Sequence, residues 1–250
     1  MKKQLMSAAI TLLITSVCTT AGATTGQAAT WSYAAPTGPE QWSELKSDYA
    51  LCSSGLTQSP IDIRDAVDTR LAPLVFTYQP SAAVVSNNGN TIQVAPVDAG
   101  SLTLASGDYS FVQLHLHTPS EEQIQGRSYP MSAHLVHRSA AGELAVVAVL
   151  FEEGAHNPAL DLILEAMPKE AGGVMNLQTL NVTDLLPATR HYYAYAGSLT
   201  TPPCAEGVRW HVLSTAVTLS PAQLQAFQAL YPMNARPVQP LNGRSVEVGG

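Results

Sequence analysis

His115 and His117 stand two residues apart in Phe111-Val112-Gln113-Leu114-His115-Leu116-His117. In an extended strand successive side chains point to opposite faces. Phe111, Gln113, His115 and His117 are therefore expected on one face, and Val112, Leu114 and Leu116 on the other. The two histidine Cα atoms would lie roughly 7 Å apart on one side of a sheet, close enough for both imidazoles to converge on one metal ion. Taken alone, a His-x-His strand is more often two half-buried polar residues, so a third ligand is needed. Ser132-Ala133-His134-Leu135-Val136-His137 follows a polar segment long enough to turn the chain into an antiparallel neighbour. His134 and His137, three apart, face opposite ways on a strand, so His137 is not expected on the same ion. His115, His117 and His134, with a fourth position open to water, make the donor set of a catalytic zinc site.

These histidines need a rigid sheet behind them, and the surrounding chain reads as one. Strand-like runs recur at residues 74–78, 82–86, 91–94, 101–104, 109–117, 192–199 and 208–217, with a turn at Asn87-Asn88-Gly89-Asn90. The continuous apolar run 144–151 suits a buried central strand. Two short helices are expected. One starts at Asn157-Pro158 and stops near Pro168; the other starts at Ser220-Pro221-Ala222-Gln223 with capping-box spacing and an apolar face of Leu224, Phe227 and Leu230. No repeat or long linker divides the chain. The expected fold is mainly β with minor α, a single domain.

With 250 residues and 46% hydrophobic content the chain can bury a sizeable core. A net charge of −7 gives nucleic acid no reason to bind. Residues 1–23 read as a signal peptide: basic Lys2 and Lys3, an apolar run from Leu5 to Val17, and Ala21-Gly22-Ala23 as cleavage site, with a later cut at 29 as the alternative. The run is too short for stable membrane insertion. Cys18 raises a lipoprotein reading, but Val17 is a poor fit to the small residue such processing wants. Cleavage moves the charge from −7 to −9 and leaves a domain of residues 24–250, a periplasmic or secreted protein. Two cysteines remain, Cys52 and Cys204, and an even pair in an exported chain reads as a disulfide rather than two free thiols.

His115-x-His117, His134-Leu135-Val136-His137 and Gly197-Ser198-Leu199-Thr200-Thr201-Pro202-Pro203 together resemble the α-class carbonic anhydrases. So do Trp31-x-Tyr33, Gly38-Pro39-Glu40-x-Trp42, Gln58-Ser59-Pro60-Ile61-Asp62-Ile63, Asn87-Asn88-Gly89 and Asn234-x-Arg236-Pro237-x-Gln239-Pro240. The resemblance spans essentially the whole chain beyond the leader. It implies a large twisted, mostly antiparallel sheet with zinc in a conical cleft, and reversible hydration of carbon dioxide to bicarbonate and a proton by attack of zinc hydroxide. His115, His117 and His134 match the zinc ligands. Thr200 matches the threonine that accepts from the hydroxide, and Glu121 the carboxylate that takes the threonine's proton. Val136, Val146, Leu199, Val208 and Trp210, with Thr201, match the substrate pocket. Gln113 and Asn234 match the partners of the first and second ligands. Cys52 and Cys204 match the disulfide of secreted members, and cis bonds are implied before Pro60 and Pro203.

Three positions depart from the pattern. Asn90 stands where active members carry a proton-shuttling histidine, and asparagine cannot carry a proton. Ser132 stands where a glutamate orients the third ligand, a loss that ordinarily costs roughly 10–100-fold in metal affinity or activity. Glu122 stands where a histidine commonly follows Glu121; it either accepts from nearby donors or leaves a partly buried charge. These departures frame the alternative, a catalytically impaired zinc protein acting as a binding module. A zinc protease is disfavoured because His-Glu-x-x-His is absent. Oligomeric state, monomer or dimer, is left open.

Overall fold

The computed structural model describes residues 30–250; the expected leader, both cut positions and Cys18 lie outside the described residues. Eight strands carry the architecture: β1 Ser81–Asn87, β2 Ile92–Pro96, β3 Gly107–His117, β4 Met131–Ser139, β5 Leu144–Glu153, β6 Val174–Leu180, β7 Tyr192–Ser198 and β8 Glu206–Leu213. They order as β6-β1-β2-β3-β4-β5-β8-β7 within a 13-stranded sheet, which continues through the short strands Glu247–Gly249 and Val67–Asp68. Neighbours are antiparallel from β6 to β5, and β5 pairs β8 in parallel. The expectation of a mainly β, mostly antiparallel sheet is met.

Side-chain alternation splits the interior in two. Leu114, Leu116, Ala133, Leu135, Val147 and Val149 face one way and pack with Leu160, Ile163, Leu224 and Phe227 of the two helices. Val136, Val146, Ala148, Leu150, Val208, Trp210 and Val212 face the other way, beside the histidines. The helices are α1, Pro158–Glu165, and α2, Pro221–Gln228. Asn157 accepts the N–H groups of Ala159 and Leu160, and Ser220 and Gln223 form the reciprocal capping box that the sequence spells. One face of the sheet is thus plugged by helices, and the other carries the site. No helix of the described residues is long and apolar enough to cross a membrane.

Two local expectations need correction, and one strand was not expected. Phe111 does not share the histidine face: the β3–β4 register shifts between Val136 and His137, setting Gln113 opposite Val136 but Phe111 opposite His137. Val112 is the extra residue of a β-bulge, and a bulge reverses the parity of everything before it. Phe111 therefore packs edge-on against His137 and Tyr78 on the helix side. The run 208–217 is two strands, β8 and Val217–Leu219, separated by a bend. Strand β6 gave no pattern to read, because most of it is exposed on both faces.

Candidate metal centre and cleft

Register alone assembles the three histidines. His134 on β4 lies directly across from His115 on β3, and Ser132 across from His117; directly opposed residues share a face. The imidazole centroids are 4.5 Å (His117–His134), 4.9 Å (His115–His117) and 5.3 Å (His115–His134) apart. One nitrogen from each lies within 4.8 Å of the others, and among the described residues no other such cluster of His, Cys, Asp or Glu forms. His137 sits on the far face, stacked on Tyr78, whose hydroxyl meets its Nε2 at 2.6 Å.

Each imidazole is fixed through its second nitrogen. His115 Nδ1 donates to Gln113 Oε1 at 2.9 Å, and His117 Nδ1 donates to the backbone carbonyl of Asn234 at 2.7 Å. The Asn234 side chain steadies the same corner, accepting from Thr118 N–H and donating to the carbonyls of Leu116 and Asn90. His134 Nε2 donates to Glu122 Oε2 at 3.1 Å, with Oε1 at 3.0 Å. That leaves Nε2 of His115, Nε2 of His117 and Nδ1 of His134 turned toward common space; His117 Nε2 is buried without a partner. Burial, then the neighbouring His134, drives His115 down to about 3, and burial with the other two imidazoles drives His117 well below its usual range. Neutral imidazoles are the metal-binding form. Burial disfavours charge on His134 too, but Glu122 and then Glu121 outweigh it and raise that group. Three nitrogen donors with oriented second nitrogens fit zinc.

Glu121 completes the polar side of the site. Its Oε1 accepts the Arg236 N–H at 2.7 Å, and Oε2 lies 3.6 Å from His117 Nε2 and 3.7 Å from His134 Nδ1. Burial pushes this carboxyl up to about 7 against the pull of His134, while the Arg236 N–H and the Thr200 hydroxyl favour its charged form. A cation among the histidines would favour that form further. Thr200 is itself buried, on a segment pinned from below: Ser59 and Ser198 exchange N–H to hydroxyl bonds at 2.9 and 3.1 Å, and Trp210 Nε1 donates to the Ser198 carbonyl. Beside it, Val136, Val146, Val208 and Trp210 form a buried apolar wall with Leu199 packed on it, and Trp210 meets the His134 ring edge-on at 4.9 Å. Thr201 accepts the Cys204 N–H, and Cys204 is bridged to Cys52 across 152 residues. The bonds before Pro60 and Pro203 are cis, as are those before Pro36 and Pro119.

The geometry draws two residues into a different light. The Ser132 hydroxyl is buried and has no partner; the group against His134 is Glu122, on a different segment. Arg236 was legible only as part of a motif, yet it is buried and joins the site to the disulfide. Its Nη1 donates to Gln58 Oε1 and the Ser59 carbonyl, and its Nη2 to the Cys52 carbonyl. Asn90 sits in the β1–β2 turn, its N–H held by Asn88 Oδ1.

The family model for eukaryotic-type carbonic anhydrase matches residues 37–249. The chain belongs to that family. A carbonic anhydrase of Nostoc sp. is 42% identical over 223 residues, covering 86% of this chain and 84% of that protein. One from Neisseria gonorrhoeae is 42% identical over 240 residues, covering 95% of each. Among solved structures, the α-carbonic anhydrase of Thermovibrio ammonificans superposes with a TM-score of 0.86 at 43% identity, covering 88% of this chain and 99% of that one. Members of this family are zinc enzymes that hydrate carbon dioxide, and the three-histidine cluster is where a metal fits in this chain.

Proposed function

We propose that this chain catalyses the reversible hydration of carbon dioxide to bicarbonate and a proton with Zn2+ held by His115, His117 and His134, outside the reducing cytoplasm. The observation that carries the reading is that all three imidazoles have one nitrogen anchored and the other facing a shared space. Held there by His115, His117 and His134, zinc would supply Lewis-acid chemistry, in carbonic anhydrase itself lowering the pKa of water to about 7, so that a nucleophile would be available at neutral pH. The chain's own residues do the rest. Glu121, held by the Arg236 N–H, is the carboxylate that would take the Thr200 hydroxyl as a hydrogen-bond donor. The Thr200 oxygen would then be left as an acceptor, which would turn an attacking O–H toward Thr200 and its lone pair toward the wall. Val136, Val146, Leu199, Val208 and Trp210 offer a weakly polar gas contact without competing hydrogen bonds, and Thr201 follows Leu199 and Thr200 in the chain.

Each turnover must also release a proton. Asn90, at the position where the family resemblance puts the proton-shuttling histidine, cannot carry it. Proton exit therefore falls to buffer, and hydration is expected to be slow in weak buffer and faster as imidazole is added. The Cys52–Cys204 cystine supports a periplasmic or secreted setting. Zinc content and stopped-flow carbon dioxide hydration, measured together on the chain without residues 1–23, test the reading. Stoichiometric zinc with hydration above the buffer blank supports it. Zinc-loaded protein with no hydration at any buffer concentration would overturn it and leave the binding-module alternative.

A further inference from the structure

Glu121 and Glu122 are adjacent carboxyl groups, both buried, and they flank one imidazole from two sides. Glu121 Oε2 lies 3.7 Å from His134 Nδ1; Glu122 lies 3.0 and 3.1 Å from His134 Nε2. The segment that carries them is tied at several points. Ser120 N–H donates to the Tyr129 carbonyl, Ser120 Oγ donates to the Glu122 carbonyl at 2.8 Å and accepts the Tyr129 N–H, and the next residue, Gln123, donates its N–H to the Ile61 carbonyl. Glu122 itself has no exposed surface. A fully buried acidic side chain is uncommon unless it is paired, and the partner its geometry provides is His134. Ser132, which strand alternation places on the His134 face, contributes nothing: its hydroxyl is buried and unpartnered.

Resting on the zinc reading above, we infer that Glu122 is the positioning residue for metal ligand His134, holding its Nε2–H so that Nδ1 faces the metal. The carboxyl that strand β4 lacks at position 132 is supplied from the loop after β3. The work is done by the same chemical group from another place in the chain. A carboxylate on the second nitrogen fixes tautomer and ring plane and raises ligand basicity. The Ser132 position is then free to be small, and adding a second acid there crowds Glu122 instead of strengthening the site.

The test is zinc release to a chelator in excess, followed by absorbance on the zinc-loaded protein, for wild type, Glu122→Gln, Ser132→Ala and the exchange Glu122→Ser/Ser132→Glu. Glu122→Gln is expected to release zinc roughly 10–100-fold faster. Ser132→Ala should stay within about twofold of wild type, and the exchange should recover part of the loss by returning a carboxyl to the ligand face. Wild-type release from Glu122→Gln, or a Ser132→Ala defect as large as that of Glu122→Gln, would overturn the inference while leaving the zinc reading standing. A wild-type chain that takes up no zinc would overturn both. If Glu122→Gln does not fold, long-range 15N–1H spectra of the zinc-loaded wild type decide. A proton on His134 Nε2 with hydrogen-bonded downfield shift supports the role, and a proton on Nδ1 refutes it.

Discussion

Asn90 and Thr200 bear on different steps. Asn90 lies in a tight turn fixed by its neighbour's side chain, so a histidine there would be held at a defined place without rebuilding the loop. Asn90→His is expected to raise turnover in weak buffer about tenfold or more and to flatten the dependence on imidazole, with zinc content unchanged. Stopped-flow rates across a buffer series check this; a variant as slow and as buffer-dependent as wild type would refute it. Thr200→Ala removes the oriented acceptor but no metal donor. It should lower kcat/KM by roughly 10²-fold at full zinc occupancy, and Thr200→Ser should restore most of the loss. If Thr200→Ala retains wild-type kcat/KM, the hydroxyl does not orient the nucleophile.

Among the elements, β7 and the segment after it depend on one residue with no side chain. A methyl group on Gly197 would collide with Ser59 Oγ and approach Trp210 Cδ1 at 2.7 Å, both belonging to the support under Thr200. Gly197→Ala is expected to destabilise the fold by about 1–3 kcal/mol and to reduce kcat, because either the Ser59 contact or the Trp210 wall must shift. Thermal melting and kcat measured on the same sample check the pair; an unchanged melting temperature would refute it. The same scale shows what the chain could reveal in advance. Strand parity chose His134 over His137, since period-two alternation survives wherever pairing is regular. Parity failed for Phe111, because the bulge at Val112 is a property of two strands together and leaves no mark on one. The Glu122 contact was hidden for a similar reason. Residue 122 and residue 134 meet only after a loop has folded back, and nothing in local spacing states which way a loop side chain turns. What was visible was the coincidence of an acid missing at 132 and an unexpected acid at 122.

Across the whole molecule, buried histidines away from the metal cluster set the acid limit. Burial holds His137 down to about 3 and His211 down to about 4, against an ordinary value of about 6.5. The unfolded chain takes up these protons as pH falls below about 6.5, and the folded chain does not until near 3–4. Their contribution is therefore complete above pH 6.5 and lost as pH falls toward the folded values. Each accounts for about 2 kcal/mol between pH 6.5 and 4.5. His137→Gln, which keeps a polar partner for Tyr78, should lose correspondingly less stability over that interval in urea titrations. Parallel wild-type and variant curves would refute this.

Two long-range contacts have a consequence in time rather than in space. The support for His117 is the carbonyl of Asn234, and the support for Glu121 is the N–H of Arg236, 117 and 115 residues further along. A chain made or threaded N-terminus first presents its three histidines long before either support exists. The centre is therefore complete only once residues 234 and 236 are in place. Until then neither His117 Nδ1 nor Glu121 Oε1 has the partner that fixes it in the finished fold.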